Sequence, residues 1–584
     1  MSWNHLRFFV SYLIKYRIGV GLGILALLLT DFAGLAVPWI LKEFVDFLPR
    51  SPSQIDLLGF AGLLFAAASI QATGRFGWRK YLFGSSRRVE FDILNRVFGH
   101  FLILDRPFFQ RLRIGDLMSR ATNDLRAVRD FMGLGLLILV DSAVVISACF
   151  ILMTVINPSL AFWVLLPLPL VSILFFSYVE TISRRHREVQ EHLSVITERV
   201  RENIAGIRVL HSFVQEEHEK EKFRELCREY IIRNLRVTRL FGVFTPALVF
   251  TIGISGLISL WIGGRAVIEG SMTLGDFVAF NGYLMQLSWP MMGVGYIINL
   301  SQRGLVAVSR IDEILSAEPV IRDRAGAVDP GTLEGGIEFR DVSFTYPAAA
   351  SPSLIGIDLR VNPGQKLAVT GLIGSGKSTL ALLIPRLYEV EEGAILVDGR
   401  PVTDYPLERL RRDIGYVEQN PFLFSATLRE NIALERPDAT REEIDEVIEN
   451  AGLVPDLARF PEGLDTVVGE RGVSLSGGQK QRVALARALI KKPRILILDD
   501  AFSSLDAETE EIILKRIHTQ VRGITTLIIT HRLPVVRDAD QIIVLDRGTI
   551  MERGTHDELM RVGGLYARTC RNQALAREME ITLQ

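Results

Sequence analysis

Cysteine is scarce in this 584-residue sequence: Cys149, Cys227 and Cys570 fall in an apolar run, a charged helical stretch and the C-terminal tail. No metal-ligand spacing links them, which excludes a cysteine-built metal site and predicts free thiols. Excess charge of either sign is also lacking. Lys and Arg number 66 against 67 Asp and Glu, a net charge of −1, and no basic stripe exceeds what membrane flanks require, so nucleic acid is excluded as a partner. The N-terminal region has no A-x-A-like cleavage site after a short apolar stretch, and the first long apolar run is expected to direct insertion itself. Polar residues inside the apolar runs are too few to choose a substrate.

Long apolar runs are present, and only in the first half of the chain. Residues 1–17 mix aromatic and basic side chains in the manner of a helix lying in a membrane surface. Six candidate spans follow, about 18–41, 57–76, 133–156, 160–179, 241–262 and 277–300. Spans three and four are joined by Asn157-Pro158-Ser159 and spans five and six by Gly263 to Met272. In contrast, about 55 residues separate spans two and three and about 60 separate four and five, all rich in charge at helical spacing. The positive-inside rule puts these long connections, and with six spans both termini, in the cytoplasm. They read as helix pairs running out of the bilayer and back, with turns expected near Ile114 to Asp124 and Ala205 to Phe213. Asp31 in span one and Asp141 in span three are candidate substrate contacts, because a carboxylate at membrane depth is costly and faces a cavity or a partner; the alternatives are a place near the headgroups or a bond that holds the bundle together.

The second half reads as a soluble α/β domain organised around Gly371-Leu-Ile-Gly-Ser-Gly-Lys-Ser-Thr379, which fits the phosphate-loop pattern G-x-x-x-x-G-K-[ST]. An apolar strand, Lys366 to Thr370, enters the loop and an apolar helix from Ser378 leaves it. Gly371, Gly374 and Gly376 let backbone N–H groups around Ser375 turn toward one anion, the helix N-terminus adds partial positive charge, and Lys377 adds a full one. Ser378 is left for magnesium, with Thr379 closing the loop. About 100 residues on, Leu475-Ser476-Gly477-Gly478-Gln479 opens another helix with a capping serine and two glycines, a second anion site. Ile495 to Asp499 is a buried apolar strand ending in a carboxylate, where a magnesium ligand is expected.

From Ile337 to about Leu565 this ordered set resembles the nucleotide-binding cassette of ATP-binding cassette (ABC) transporters. The resemblance implies that Tyr346 stacks on adenine and that Gln419, in a magnesium-binding loop, moves with the membrane half. It implies that His531 contacts the γ-phosphate, and that Ser504-Leu505-Asp506 crosses to a partner cassette. Thr466 to Gly472 resembles an exporter-specific loop, and the signature at 475–479 would face ATP held by another cassette. One position departs from the family pattern: the glutamate that polarises the attacking water is replaced by Asp500. The loss of one methylene draws the carboxylate back by about 1.5 Å if the backbone is unmoved, and a misplacement of about 1 Å can cost around a hundredfold in rate.

The whole chain is similar to a half-size type I ABC exporter. The implied fold is an all-α six-helix transmembrane domain with long cytoplasmic helical extensions (residues 1–318), a linker (319–336), an α/β P-loop ATPase domain (337–570) and a C-terminal tail (571–584). The implied activity is ATP- and Mg2+-dependent export of a hydrophobic or amphipathic substrate of the drug, lipid or peptide class. It would occur across a bacterial-type inner or cell membrane, with the N-terminus and cassette cytoplasmic. Because Asp500 degrades this chain's own site while its signature is intact, a heterodimer with a second half-transporter is expected ahead of a homodimer; an ATP-gated regulatory membrane protein is the non-transporting alternative.

Overall fold

The computed structural model describes residues 3–583 except 51–52, 348, 470–474, 505–512, 514–515 and 517–522. The chain divides into two compact units, residues 1–102 with 114–317, and residues 103–113 with 318–584.

The first unit is helical. A short amphipathic helix, Trp3–Lys15, precedes long helices Arg17–Phe47, Gln54–Trp78, Leu136–Ile156, Leu168–Ala205, Glu216–Ile258 and Leu274–Leu315. Among the described residues, four stretches, Arg17–Arg50, Gln54–Phe101, Ile114–Ile156 and Val249–Ile268, are long and apolar enough to cross a membrane. The fourth and sixth expected spans run over residues whose side chains lie outside those described. Small residues let the helices approach closely: a Cβ on Gly74 would lie 2.3 Å from Thr30 Oγ1, and one on Gly23 would lie 3.0 Å from Leu82 N. Pro38 sits inside the first long helix and has no N–H to offer the carbonyl four residues back. That carbonyl, Gly34 O, accepts Gln286 Nε2 at 2.9 Å from the last long helix, and Leu35 O accepts the Tyr283 hydroxyl at 3.0 Å.

The first of the two expected turns is not where the sequence suggested. Ile114 to Asp124 is helical throughout, and the turn falls earlier, around the short helix Arg106–Arg111. Asp105 caps that helix, accepting Phe108 N at 3.4 Å, and proline stands in its first turn. Within the helical stretch Asp116 accepts from Arg120 one turn on, at 2.9 Å, and from Arg310 at 2.5 Å. The second turn coincides with Ile207–Ser212, a short helix after Gly206.

In the second unit, residues 318–336 are largely irregular and lead into two sheets. An antiparallel sheet has the order β2-β1-β4-β5, from β1 (Ile337–Phe344), β2 (Leu354–Val361), β4 (Glu392–Val397) and β5 (Arg400–Pro401). The larger sheet has the order β10-β9-β3-β8-β7-β6. Its strands are β3 (Lys366–Gly371), β6 (Ile414–Val417), β7 (Ile495–Asp499), β8 (Thr525–Ile529), β9 (Gln541–Asp546) and β10 (Thr549–Gly554). Neighbours are parallel from β9 through β6, and β10 is antiparallel to β9. Strands β7 and β8 are buried at every position, as strands covered on both faces must be. Functional loops collect where such strands end.

Candidate nucleotide-binding site

The phosphate loop lies between β3 and the helix Lys377–Leu383. Gly371, Gly374 and Gly376 have φ of +146°, +79° and +98°, backbone that disfavours any side chain. Space excludes one as well: a Cβ at Gly371 would sit 2.0 Å from Leu545 O, and one at Gly376 2.5 Å from Ser353 O. Inside the loop, Lys377 Nζ donates to Gly371 O at 3.0 Å and Leu372 O at 2.7 Å. Burial pulls the Lys377 ammonium below its ordinary pKa, opposed by Asp499 and then Asp500; a charge so desolvated interacts strongly with an anion. Ser375 is buried and its Oγ has no hydrogen-bond partner. A buried hydroxyl left unsatisfied in a cradle of N–H groups fits phosphate oxygens.

The magnesium candidates are oxygen donors, as a hard cation requires. Ser378 Oγ donates to Asp499 Oδ1 at 3.0 Å, and Tyr416 OH donates to Asp499 Oδ2 at 3.4 Å. Burial pushes the Asp499 carboxyl up from its ordinary value; the bond from Ser378 acts against it. A divalent cation here would offset that desolvation. Ser378 and Asp499, which the fold brings together, fit Mg2+, which would neutralise phosphate charge when bound; Gln419 meets Asp500 instead.

Asp500 stands beside this set in an unusual conformation. Its φ is +50°, a region that Asp tolerates better than most residues. Its N–H donates to Ile529 O at 2.9 Å and its carbonyl accepts Gln481 Nε2 at 3.4 Å. The same Gln481 amide donates to Ser503 Oγ at 2.9 Å and accepts Ser504 N at 3.1 Å. The Asp500 side chain receives Gln419 Nε2 at 3.3 Å. His531 follows β8, its imidazole held below the ordinary pKa by burial and by Lys377 against a pull from Asp500. Its backbone carbonyl accepts Gln573 Nε2 at 2.6 Å.

Tyr346 lies just beyond β1. Its hydroxyl is 3.1 Å from Thr379 Oγ1, and its ring meets Tyr388 edge-on, with centroids 5.1 Å apart at 90°. Tyr388 is buried and accepts Gln110 Nε2 at 2.7 Å, while Arg106 stands 5.9 Å from its ring. Tyr388 and Gln110 escape a motif search because neither carries charge and 278 residues separate them.

The signature opens the helix Gly477–Leu489 with Ser476 as its N-cap: Ser476 Oγ accepts Gln479 N at 3.3 Å and Gln479 Oε1 accepts Ser476 N at 2.9 Å. Gln479 Nε2 donates to Asp456 Oδ1 at 2.9 Å, and Arg482 holds the other oxygen at 2.6 Å. Gln479 thus braces the turn that leads into Gly477 and Gly478, of which Gly477 is exposed. Asp456 carries no motif, and only contact geometry finds it. Asp506 and residues 470–472 of the Thr466 loop lie outside the described residues.

A phosphate loop on a parallel sheet, a carboxylate closing β7, a capped glycine signature and a helical membrane unit define an ATP-binding cassette machine fused to its own membrane half. The chain belongs to the ABC transporter family. Residues 20–291 match the ABC transporter transmembrane region, and residues 354–503 match the ABC transporter domain. The chain is 39% identical over 572 residues to the probable multidrug resistance ABC transporter ATP-binding/permease protein YheI of Bacillus subtilis (strain 168), covering 97% of each. To the multidrug resistance-like ATP-binding protein MdlA of Escherichia coli (strain K12) it is 36% identical, covering 98% of this chain and 96% of that one. Its fold matches a bacterial Atm1-family ABC exporter solved with ATP bound, with a TM-score of 0.78 at 27% identity over 96% of this chain and 98% of that one. It is a multi-pass membrane protein with an ATPase domain coupled to transport.

Proposed function

We propose that this chain is one half of a heterodimeric exporter of hydrophobic or amphipathic substrates, drugs foremost, and that its own ATP site hydrolyses slowly. The cassette and the N-terminus face the cytoplasm. Tyr346, the loop 371–379 and Lys377 bind ATP, while Ser378, Asp499 and Gln419 hold Mg2+. The multidrug names of the two relatives support the substrate class.

The observation that carries the assembly is the pinned backbone of Asp500. A shorter side chain could still reach an attacking water if the main chain moved toward it, but N–H and carbonyl are both bonded, to Ile529 O and Gln481 Nε2. The carboxylate therefore stays short of the place that a glutamate would fill, and general-base catalysis falls steeply with distance. The signature, by contrast, is fully formed. In a homodimer every site would pair a poor base with a good signature. With a partner that supplies the glutamate, this signature completes a competent site on the partner's phosphate loop.

The test uses the assembled transporter. Asp500→Asn is expected to leave most ATPase activity, and Ser476→Arg to remove nearly all of it. A large loss from Asp500→Asn, or rapid hydrolysis by this chain purified alone, contradicts the heterodimer.

A further inference from the structure

The helical stretch Ile114–Ile156 and the last long helix, Leu274–Leu315, run antiparallel along a common seam. Glycines close part of it: a Cβ on Gly293 would lie 3.0 Å from Ile138 and one on Gly304 3.0 Å from Phe131. Farther along, Arg120 meets Glu313 at 2.6 Å and Arg310 meets Asp124 at 3.3 Å. Beside these closures the helices part around a cavity of about 460 Å3, a volume in the range of small-molecule sites. Its lining recurs in steps of three and four residues, from Asn123 through Arg126 to Asp130 on one helix and from Tyr296 through Arg303 to Ala307 on the other. One face of each helix therefore builds it.

Four charged side chains line the cavity, and their partners differ. Asp124 Oδ2 lies 3.3 Å from Arg310 Nε and Asp130 Oδ1 2.9 Å from Arg129 Nη2, and neither of these arginines is in the wall. Arg310 is shared with Asp116 and Arg129 with Glu90. The two arginines that do line the cavity have no acidic partner among the described residues. Arg126 is exposed and unbonded there. Arg303, also exposed, is bonded to a neutral acceptor, Asn299 Oδ1, at 2.7 Å from its Nε. The wall thus offers engaged carboxylates and open guanidinium groups. It does not suit a metal, since no group of three or more His, Cys, Asp or Glu side chains occurs among the described residues.

We propose that this cavity binds an amphipathic organic anion, its acidic group paired with Arg126 and Arg303 and its apolar body resting on Tyr296, Leu300 and Val306. A guanidinium group presents its N–H donors in a fork that matches a carboxylate, sulfate or phosphate. The place suits an amphiphile as well: the cavity begins where the sixth expected span ends, near residue 300, so one side of the ligand meets apolar residues and the other meets charge. The inference deepens the export reading above by giving its substrate class a charge, and it rests on that reading for the passage of the anion onward.

The experiment measures binding of radiolabelled estrone sulfate to the full-length protein in phosphatidylcholine nanodiscs without nucleotide, with empty nanodiscs as the blank and estrone as the uncharged counterpart. The sulfate should bind saturably and at least about tenfold more tightly than estrone. The double variant Arg126→Gln, Arg303→Gln should abolish that preference, and Arg126→Lys, Arg303→Lys should keep it to within about fivefold, since the charge remains while the fork is lost. Both side chains are exposed, so the thermal midpoint of the variants should stay at the wild-type value, which separates a lost site from a lost fold. Adding phosphatidylglycerol tells apart the two sources of such an anion: competition with the probe makes the bilayer the supplier, no competition makes it the aqueous phase, and either result leaves the cavity an anion site. Equal affinity of the wild-type protein for estrone sulfate and estrone, or a preference that survives the Gln pair, would overturn the proposal. Binding is read without ATP or movement across the membrane, so failure of export in vesicles counts against the export reading alone.

Discussion

Gln419 Nε2 donates to Asp500 Oδ2 at 3.3 Å. Asp500, proposed above as the degraded water-activating residue, is thus tied to the loop proposed to supply a magnesium ligand, while its main chain is fixed by Ile529 and Gln481. Lengthening the side chain without moving the backbone should restore reach. Asp500→Glu, in a Ser476→Arg background that silences the other site, is expected to raise single-turnover hydrolysis by about ten- to a hundredfold. No increase would mean that distance is not what limits this site.

Lys377→Ala should reduce ATP affinity at this chain's own site by at least about tenfold, because it removes the only full positive charge within the loop. Equilibrium binding of a fluorescent ATP analogue reads this directly; unchanged affinity would remove the loop from the nucleotide site.

Tyr388 offers a ring to Tyr346 and a hydroxyl to Gln110. Tyr388→Phe keeps the ring, so ATP affinity should change by less than about twofold. Tyr388→Ala withdraws the support behind Tyr346 and should weaken ATP binding by about five- to tenfold. Equal effects from the two variants would place the hydroxyl, not the ring, behind the adenine platform.

Gln286→Ala leaves Gly34 O without its donor in a helix where Pro38 has already removed the usual one. A loss of about 0.5–1.5 kcal/mol is expected from unfolding in detergent. In a Pro38→Ala background the restored N–H should shrink that loss, and purely additive effects in the double-mutant cycle would show the two residues to be independent.

His531 supplies a pH signature. Its imidazole is held below the ordinary value of 6.5 by burial and by Lys377. Between the shifted value and the ordinary one the unfolded chain binds more protons, so stability rises with pH through that window and is lost as pH falls into it. The thermal midpoint should drop as the medium is taken from about pH 7 to about pH 5.5, less so in His531→Gln; an equal slope in the variant would assign the effect elsewhere.

Much of the cassette can be read from the sequence because its chemistry is local. A phosphate loop needs its glycines, lysine and serine in one short run, and the capping box of Ser476 and Gln479 is likewise a spacing rule. What escaped depends on partners far apart in the chain. The brace of Gln481 on Asp500, the hold of Asp456 on Gln479, and the donor that Gln286 gives to Gly34 all need the fold before they exist. The misplaced first turn has the same origin. Asp116 is held in its helix by Arg120 and by Arg310 far along the chain.

The segment 103–113 groups with the unit that begins at residue 318, which sets an order of events at the ribosome. Gln110 is made 278 residues before Tyr388. At roughly 5–20 residues per second the gap is about 15–55 s, long after a short helix would have formed or frayed. During that interval the Arg106–Arg111 helix lacks the Tyr388 ring and hydroxyl that it meets in the finished fold. A cassette expressed alone from residue 318 would meet the converse problem, with the Tyr388 hydroxyl deprived of the bond from Gln110.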